Sequence, residues 1–220
     1  MRVVVNAAMS ADGKLSTRRR EQLRISSDED FRRVEELRAE SDAVMVGVGT
    51  VVADDPSLTI DDPDLRADRE AAGRPSNPAR VVADSRIRTP PDASVLDDAA
   101  ATYLLVSEQA PPGFVTRMED VGATVVTAGR DRVDLAAALE VLAGEGIEQL
   151  MVEGGGELIA GLFEASLVDE LFVYVGPMIV GGRSAPTLAD GDGFVEDFPQ
   201  LVLESVERLG EGVLLSYDVP

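Results

Sequence analysis

Short apolar runs broken by polar turns set the rhythm of this chain. Val3-Val4-Val5-Asn6-Ala7-Ala8 reads as a buried first strand, and Ala43-Val44-Met45-Val46 as a second. Further strands are expected at Ala79–Ala83, Thr102–Val106, Ala123–Val126 and Leu171–Val175. Between the first two, Phe31, Val34 and Leu37 recur at three-residue spacing. The preceding Ser26-Ser27-Asp28-Glu29-Asp30 supplies N-cap chemistry and first-turn acids, so a helix is predicted through about Ala39. Leu135, Leu139 and Leu142 predict a helix over Val133–Ala143, and another is predicted over Leu158–Ala165. Residues 61–78, rich in Asp, Arg and Pro, read as a surface excursion. Two last strands, near Leu201–Val206 and Val213–Val219, flank the turn Gly210-Glu211-Gly212. Strands alternating with helices predict an α/β fold with a mostly parallel central sheet flanked by helices and an antiparallel C-terminal pair. With no internal repeat and no dividing linker, residues 1–220 are expected to form a single domain.

Composition narrows the chemistry. Histidine and cysteine are both absent, which excludes zinc sites of the usual kind, thiol nucleophiles, Ser-His-Asp triads and disulfides. Proton transfer is left to carboxylates, tyrosines, the one lysine (Lys14), substrate groups or water. Hydride delivery by a bound nicotinamide asks little of side chains and suits that inventory. With 41 acidic against 20 basic residues the formal charge is -21, so nucleic acid and anionic membranes are not expected as partners. Abundant acid with one lysine points to adaptation to molar salt, where the Debye length falls to ~3 Å. No apolar run approaches the ~18 residues of a membrane span, and no signal-peptide pattern opens the chain, so a cytoplasmic location is expected. Asp61–Asp64 and Asp97-Asp98 read as solvated loops, and no metal site is expected. Arg18-Arg19-Arg20 suits a phosphate or salt-bridge role.

Four segments sit where strands end. They are Met9-Ser10-Ala11-Asp12-Gly13-Lys14, the run from Gly47 through Asp54-Asp55-Pro56 to Leu58-Thr59, Asp84-Ser85-Arg86, and Val152-Glu153-Gly154-Gly155-Gly156-Glu157-Leu158. Ligands of open α/β sheets bind at strand carboxyl ends. In the last segment three glycines join an apolar strand to a helix start, leaving bare amide donors and a positive dipole end that suit a phosphate. Thr50 and Asp54, four apart, fall on one face of a short helix.

These segments, in this order and with Gly161–Gly182 following, resemble the pyrimidine reductases of riboflavin biosynthesis. That family includes a stand-alone archaeal enzyme and the reductase domain of the bacterial bifunctional deaminase–reductase. The resemblance implies a dihydrofolate-reductase-like fold, a homodimer, and NADPH (in some members NADH) as reductant. It also implies reduction of a phosphorylated ribosylaminopyrimidine to its ribitylamino product. No deaminase part is seen, so the expected substrate is 2,5-diamino-6-(5-phosphoribosylamino)pyrimidin-4(3H)-one, with the uracil analogue as the alternative. Carried over by motif position, Ala8, Thr50, Asp54 and Gly154, Gly155, Gly156, Glu157 and Leu158 are candidate cofactor contacts. Arg38, Leu58 and Glu153 are candidate substrate contacts. Ser85 and Arg86 suit the 2′-phosphate of NADPH on chemical grounds. Asp61 stands where many relatives carry an Arg aimed at substrate phosphate, leaving Arg66, Arg69 or Arg38 to supply that charge. Arg24 stands where some relatives carry an aromatic.

The expected mechanism is opening of the ribosylamine, hydride transfer to sugar C1′ and proton uptake on nitrogen, with orientation supplying most of the rate. Asp54, Glu153 and Lys14 are the candidates for the proton path. Two rival readings stay open: a reductase of the same fold acting on another substrate such as a pterin, and a non-catalytic nucleotide-binding module.

Overall fold

A computed structural model describes residues 1–220. In chain order the elements are β1 (Arg2–Ser10), α1 (Asp28–Glu40), β2 (Ala43–Gly47), α2 (Val48–Asp54), α3 (Pro63–Ala71), β3 (Ala79–Ala83), β4 (Thr102–Val106), α4 (Pro112–Asp120), β5 (Thr124–Thr127), α5 (Leu135–Gly144), β6 (Gln149–Gly154), α6 (Gly156–Glu164), β7 (Glu170–Gly176), β8 (Val202–Leu209) and β9 (Gly212–Asp218). They fall into two compact units, one of residues 35–151 with Met1, the other of residues 2–34 and 152–220.

In the first unit β2, β3, β4 and β5 lie side by side and parallel, with Val46 beside Val82, Val82 beside Leu104 and Leu104 beside Val125. Val44, Met45, Val46, Val81, Val82, Leu104 and Leu105 are almost wholly buried. Such unbroken apolar runs mark parallel strands covered on both faces. Covering residues come from α2 (Val48, Val51), α4 (Met118) and α5 (Ala138, Leu139, Leu142).

In the second unit β1 runs parallel to β7, while β7–β9 and β9–β8 are antiparallel. The expected mostly parallel arrangement with an antiparallel C-terminal pair is therefore what forms. Val3, Val4, Val5, Leu171, Val173, Ile159 and Leu162 are buried here. On another face Ile25, Tyr174 and Leu214 cluster together.

Two expectations need correction, and one helix has no counterpart among them. Residues 61–78 are not wholly irregular, because Asp62 caps Asp64 N–H and Pro63 opens α3. Helix α4 also goes unannounced by any apolar stripe: it starts at Pro112 and buries only Met118. Phe31 does not face a core. It is 45% exposed, with the Arg24 guanidinium 5.3 Å over its ring, while α1 buries Asp30 and Ala39 instead. Asp30 holds Arg33, which also donates to Asn6, so that face of α1 is polar inside.

Candidate functional site

The first unit carries the Gly47–Thr59 motif. Val48 and Val51 anchor α2 to β2, and that leaves Thr50 and Asp54 half-buried on the helix. The two adjacent acids have different jobs. Asp55 takes the left-handed conformation at φ 43 and ends the helix, and its carboxylate accepts from Ser94 N–H (2.7 Å) and Ser94 Oγ (2.8 Å). The Asp54 side chain makes no hydrogen bond or ion pair, and burial pushes its carboxyl above the ordinary value. A desolvated, uncommitted carboxyl of that kind is suited to proton work.

Leu58 is 1% exposed with φ 54, so what it offers a ligand is backbone rather than side chain. Arg38 donates to Glu35 Oε1 (3.2 Å) and to the Thr59 carbonyl (2.9 Å), while the other Glu35 oxygen accepts from Asp61 and Asp62 N–H. The guanidinium is thereby fixed beside the Thr59–Asp62 turn. Arg69 is removed as a phosphate partner. It is buried and donates to the carbonyls of Ala39, Ser41 and Pro75, which makes it a structural clamp for α3.

Ser85 and Arg86 follow β3. Asp84, fully buried, shapes their turn through one oxygen that accepts from Arg88 N–H, Thr89 N–H and Thr89 Oγ, each at 2.7 Å. Ser85 Oγ accepts from Val133 N–H at 3.0 Å, so the hydroxyl is partly committed to holding the chain beyond β5. Arg86 is exposed and uncommitted, which leaves it the stronger of the pair for an anion.

The second unit carries the other two motifs. Strand β6 continues through Glu153 to Gly154, and α6 begins at Gly156, two residues before the expected start. Gly155 is the N-cap and offers no side-chain cap; the Gly154–Gly155 peptide is cis, and Gly154 has φ 116. Only glycine tolerates that φ without cost. Gly156 has no room for a side chain. A Cβ there would stand 2.7 Å from Asp190 Oδ2 and closer still to the Thr187 carbonyl. Asp190 braces the turn, donating its N–H to Gly156 O (3.1 Å) and accepting from Thr187 N–H and Oγ. Side-chain-free amides at a nine-residue helix start fit a pyrophosphate, and the neighbouring Asp190 carboxylate is already engaged by Thr187. Glu153 is half-buried at the strand end, and Ala8 is half-buried two residues before β1 ends.

The Ser10–Lys14 turn is a staple, and nothing local in the sequence announces it. Asp12 accepts from Ser10 Oγ (2.6 Å), Val180 N–H (3.0 Å) and Gly181 N–H (2.7 Å). Ser10 Oγ in turn accepts from Lys14 N–H, and Lys14 bridges to Thr187. The Ser10 hydroxyl most of all, and then the Val180 amide, hold the Asp12 carboxyl down at about 2. The free carboxyl value is about 3.9, so this contribution is complete above pH ~4 and is lost as pH falls through 2. Protection of the Val180 and Gly181 amides, relative to their intrinsic exchange rates, is expected to fall across that window, and in Asp12→Ala at any pH. Unaltered protection in that variant would dismiss the staple.

The model of the RibD C-terminal domain matches residues 1–215. The chain belongs to the RibD C-terminal domain family. Within that family it is 50% identical over 210 residues to a 2,5-diamino-6-ribosylamino-4(3H)-pyrimidinone 5′-phosphate reductase of Archaeoglobus fulgidus, covering 96% of this chain and 94% of that one. It is 49% identical over 219 residues to the protein of the same name from Methanothermobacter thermautotrophicus, covering 99% and 97%. A crystal structure of a pyrimidine reductase-like protein from Corynebacterium diphtheriae superposes with a TM-score of 0.85 at 18% identity, covering 100% of this chain and 92% of that one. That likeness speaks for the fold alone. As a RibD C-terminal domain, the chain has the dihydrofolate-reductase-like α/β architecture that its motifs led us to expect.

Proposed function

We propose that this protein reduces the ribosylamino side chain of 2,5-diamino-6-(5-phosphoribosylamino)pyrimidin-4(3H)-one to the ribitylamino product, with NADPH as reductant. The observation that carries this reading is half-identity, along nearly the whole chain, to two archaeal proteins that bear the name of that reductase. NADH and the deaminated uracil analogue are the competing reductant and substrate, and the same assay ranks all of them. A bound reduced nicotinamide supplies the hydride. The rest is the work of the chain.

Thr50 and Asp54 on α2 serve the coenzyme, the backbone of Ala8 serves its nicotinamide ring, and Gly154 to Leu158 serve its phosphates. Arg86, helped by Ser85, serves the 2′-phosphate. Arg38, the Leu58 backbone and Glu153 serve the substrate. Asp54 supplies the proton taken up on nitrogen, since its carboxyl is raised by burial and committed to no other partner. Glu153 and Lys14 are the alternatives on that path. Orientation of the opened sugar provides most of the rate, worth ~7–11 kcal/mol where geometry is good. Asp54→Asn is expected to lower turnover about 100-fold. Undiminished turnover in single-turnover assays would remove Asp54 from the proton path.

We also propose a homodimer. In register, Val173, Leu215 and Val206 lie across neighbouring strands on one face, as do Leu171, Tyr217 and Leu203. That apolar stripe is buried at β7 but 53% exposed at Leu203 and 59% at Val206. An apolar sheet face left open in this way suits a second copy of the chain. Light scattering in molar KCl should give twice the chain mass; a monomer mass at micromolar concentration would discard the dimer.

A further inference from the structure

The second unit contains a cavity of about 410 Å³ that none of the roles above uses. Thr17, Arg18, Arg19 and Glu21 line it from one segment, Val180, Gly181 and Gly182 from another. We infer that this cavity is an anion subsite whose two arginines grip the phosphomonoester end of the substrate. The assignment rests on the reading of the protein as a reductase of a phosphorylated ribosylaminopyrimidine.

Both segments are held in place by hydrogen bonds. Thr17 Oγ accepts from Arg19 N–H (3.1 Å) and Glu21 N–H (3.3 Å), and Arg20 N–H donates to Thr17 O (2.9 Å). Arg20 adopts φ 61, so the turn folds tightly and carries Arg18 and Arg19 on its outside. Asp12 fixes the second segment through Val180 and Gly181 N–H. Gly182 has φ 89, a left-handed conformation that glycine takes without strain, and its Cα lies beside the Arg18 side chain.

The charge is unusual for its setting. Glu21 is the one acid lining the cavity; it accepts from Thr17 Oγ (3.3 Å) and stands 3.8 Å from Arg19. Arg18 has no hydrogen-bond or ion-pair partner. In a chain of net charge -21, the cavity therefore carries an excess of one positive charge. A phosphomonoester brings about -1.5 to -2 at pH 7 and three acceptor oxygens. In molar salt charges separated by more than ~3 Å are screened, so an anion must be met by direct guanidinium contact rather than by a distant field. The volume also lies within the range of small-molecule sites, about 300–1,000 Å³.

The test uses the full-length protein in molar KCl, with Arg18→Gln/Arg19→Gln as the variant. Arg117→Gln on α4 removes the same kind of charge elsewhere and serves as the control. Ribose 5-phosphate binding is followed by NMR titration, with unphosphorylated ribose alongside. The variant is expected to bind ribose 5-phosphate at least tenfold more weakly and to show at least a tenfold higher KM for the phosphorylated pyrimidine. Its KM for reduced coenzyme and the behaviour of Arg117→Gln should match the parent. Parent-like binding and KM in the double variant would overturn the subsite. A rise confined to the coenzyme KM would also overturn it, by giving the cavity to a coenzyme phosphate. Should the parent oxidise no coenzyme with either pyrimidine, the reductase reading fails, and loss of ribose 5-phosphate binding in the variant would still uphold an anion cavity.

Discussion

Gly156→Ala is expected to leave the protein with about 1% or less of its reductase activity and to lower its stability by about 3–5 kcal/mol. The added methyl meets the Thr187 carbonyl and stands 2.7 Å from Asp190 Oδ2. Relief requires residues 187–190 to move. That breaks the Asp190 N–H bond to Gly156 O and disturbs the Thr187–Asp190 pair. Overpacking costs about 1–3 kcal/mol and each lost hydrogen bond about 1 more. The same shift carries away the helix start proposed to hold the coenzyme's phosphates, so coenzyme binding falls together with stability. Gly144→Ala, at the end of α5 with open space around it, is the control and holds or slightly raises stability. Denaturant melts and coenzyme titration in molar KCl check both variants. Parent-like values for Gly156→Ala would show that α6 does not need a bare Cα at its first turn.

Removing salt is the second large perturbation. Forty-one carboxylates against twenty cations repel one another, and at low ionic strength the Debye length reaches about 10 Å or more. Some cations cannot join the surface balance, because Arg69 and Arg80 are buried in internal bonds. Self-repulsion of this kind weakens the compact state by several kcal/mol, and each kcal/mol moves the midpoint of a chain this size by roughly 2–4 °C. The thermal midpoint is therefore expected to climb on the order of 10 °C or more between 0.1 M and 2 M KCl. An equal rise in sorbitol of matched osmolality, or no rise in KCl, would reject charge screening as the cause.

How much could be seen in the sequence depended on whether the signal was apolar. Ala79–Ala83 and Thr102–Val106 coincide with β3 and β4, because short apolar-rich runs bounded by polar turns leave few alternatives, even with Arg80 inside the first. Helices α3 and α4 escaped because neither has an apolar stripe: α3 buries Arg69, α4 only Met118. Their starts were written in the sequence nonetheless, as Asp62-Pro63 and Pro111-Pro112. At the site, the strand-end motifs located the candidate residues, but they did not separate Asp54 from Asp55. The difference lies in Ser94, which stands thirty-nine positions away from Asp55 and donates to it and not to Asp54. Asp12 was hidden for the same reason, since the amides it holds are 168 and 169 positions along the chain. Long-range backbone partners leave no periodic trace.

The most direct measurement follows absorbance at the reduced-nicotinamide band in molar KCl, with NADPH or NADH and each of the two phosphorylated pyrimidines. Oxidation of NADPH fastest with 2,5-diamino-6-(5-phosphoribosylamino)pyrimidin-4(3H)-one, yielding the ribitylamino product by mass, is the result expected. Tight coenzyme binding with no oxidation by either pyrimidine would contradict it and leave a nucleotide-binding module in its place.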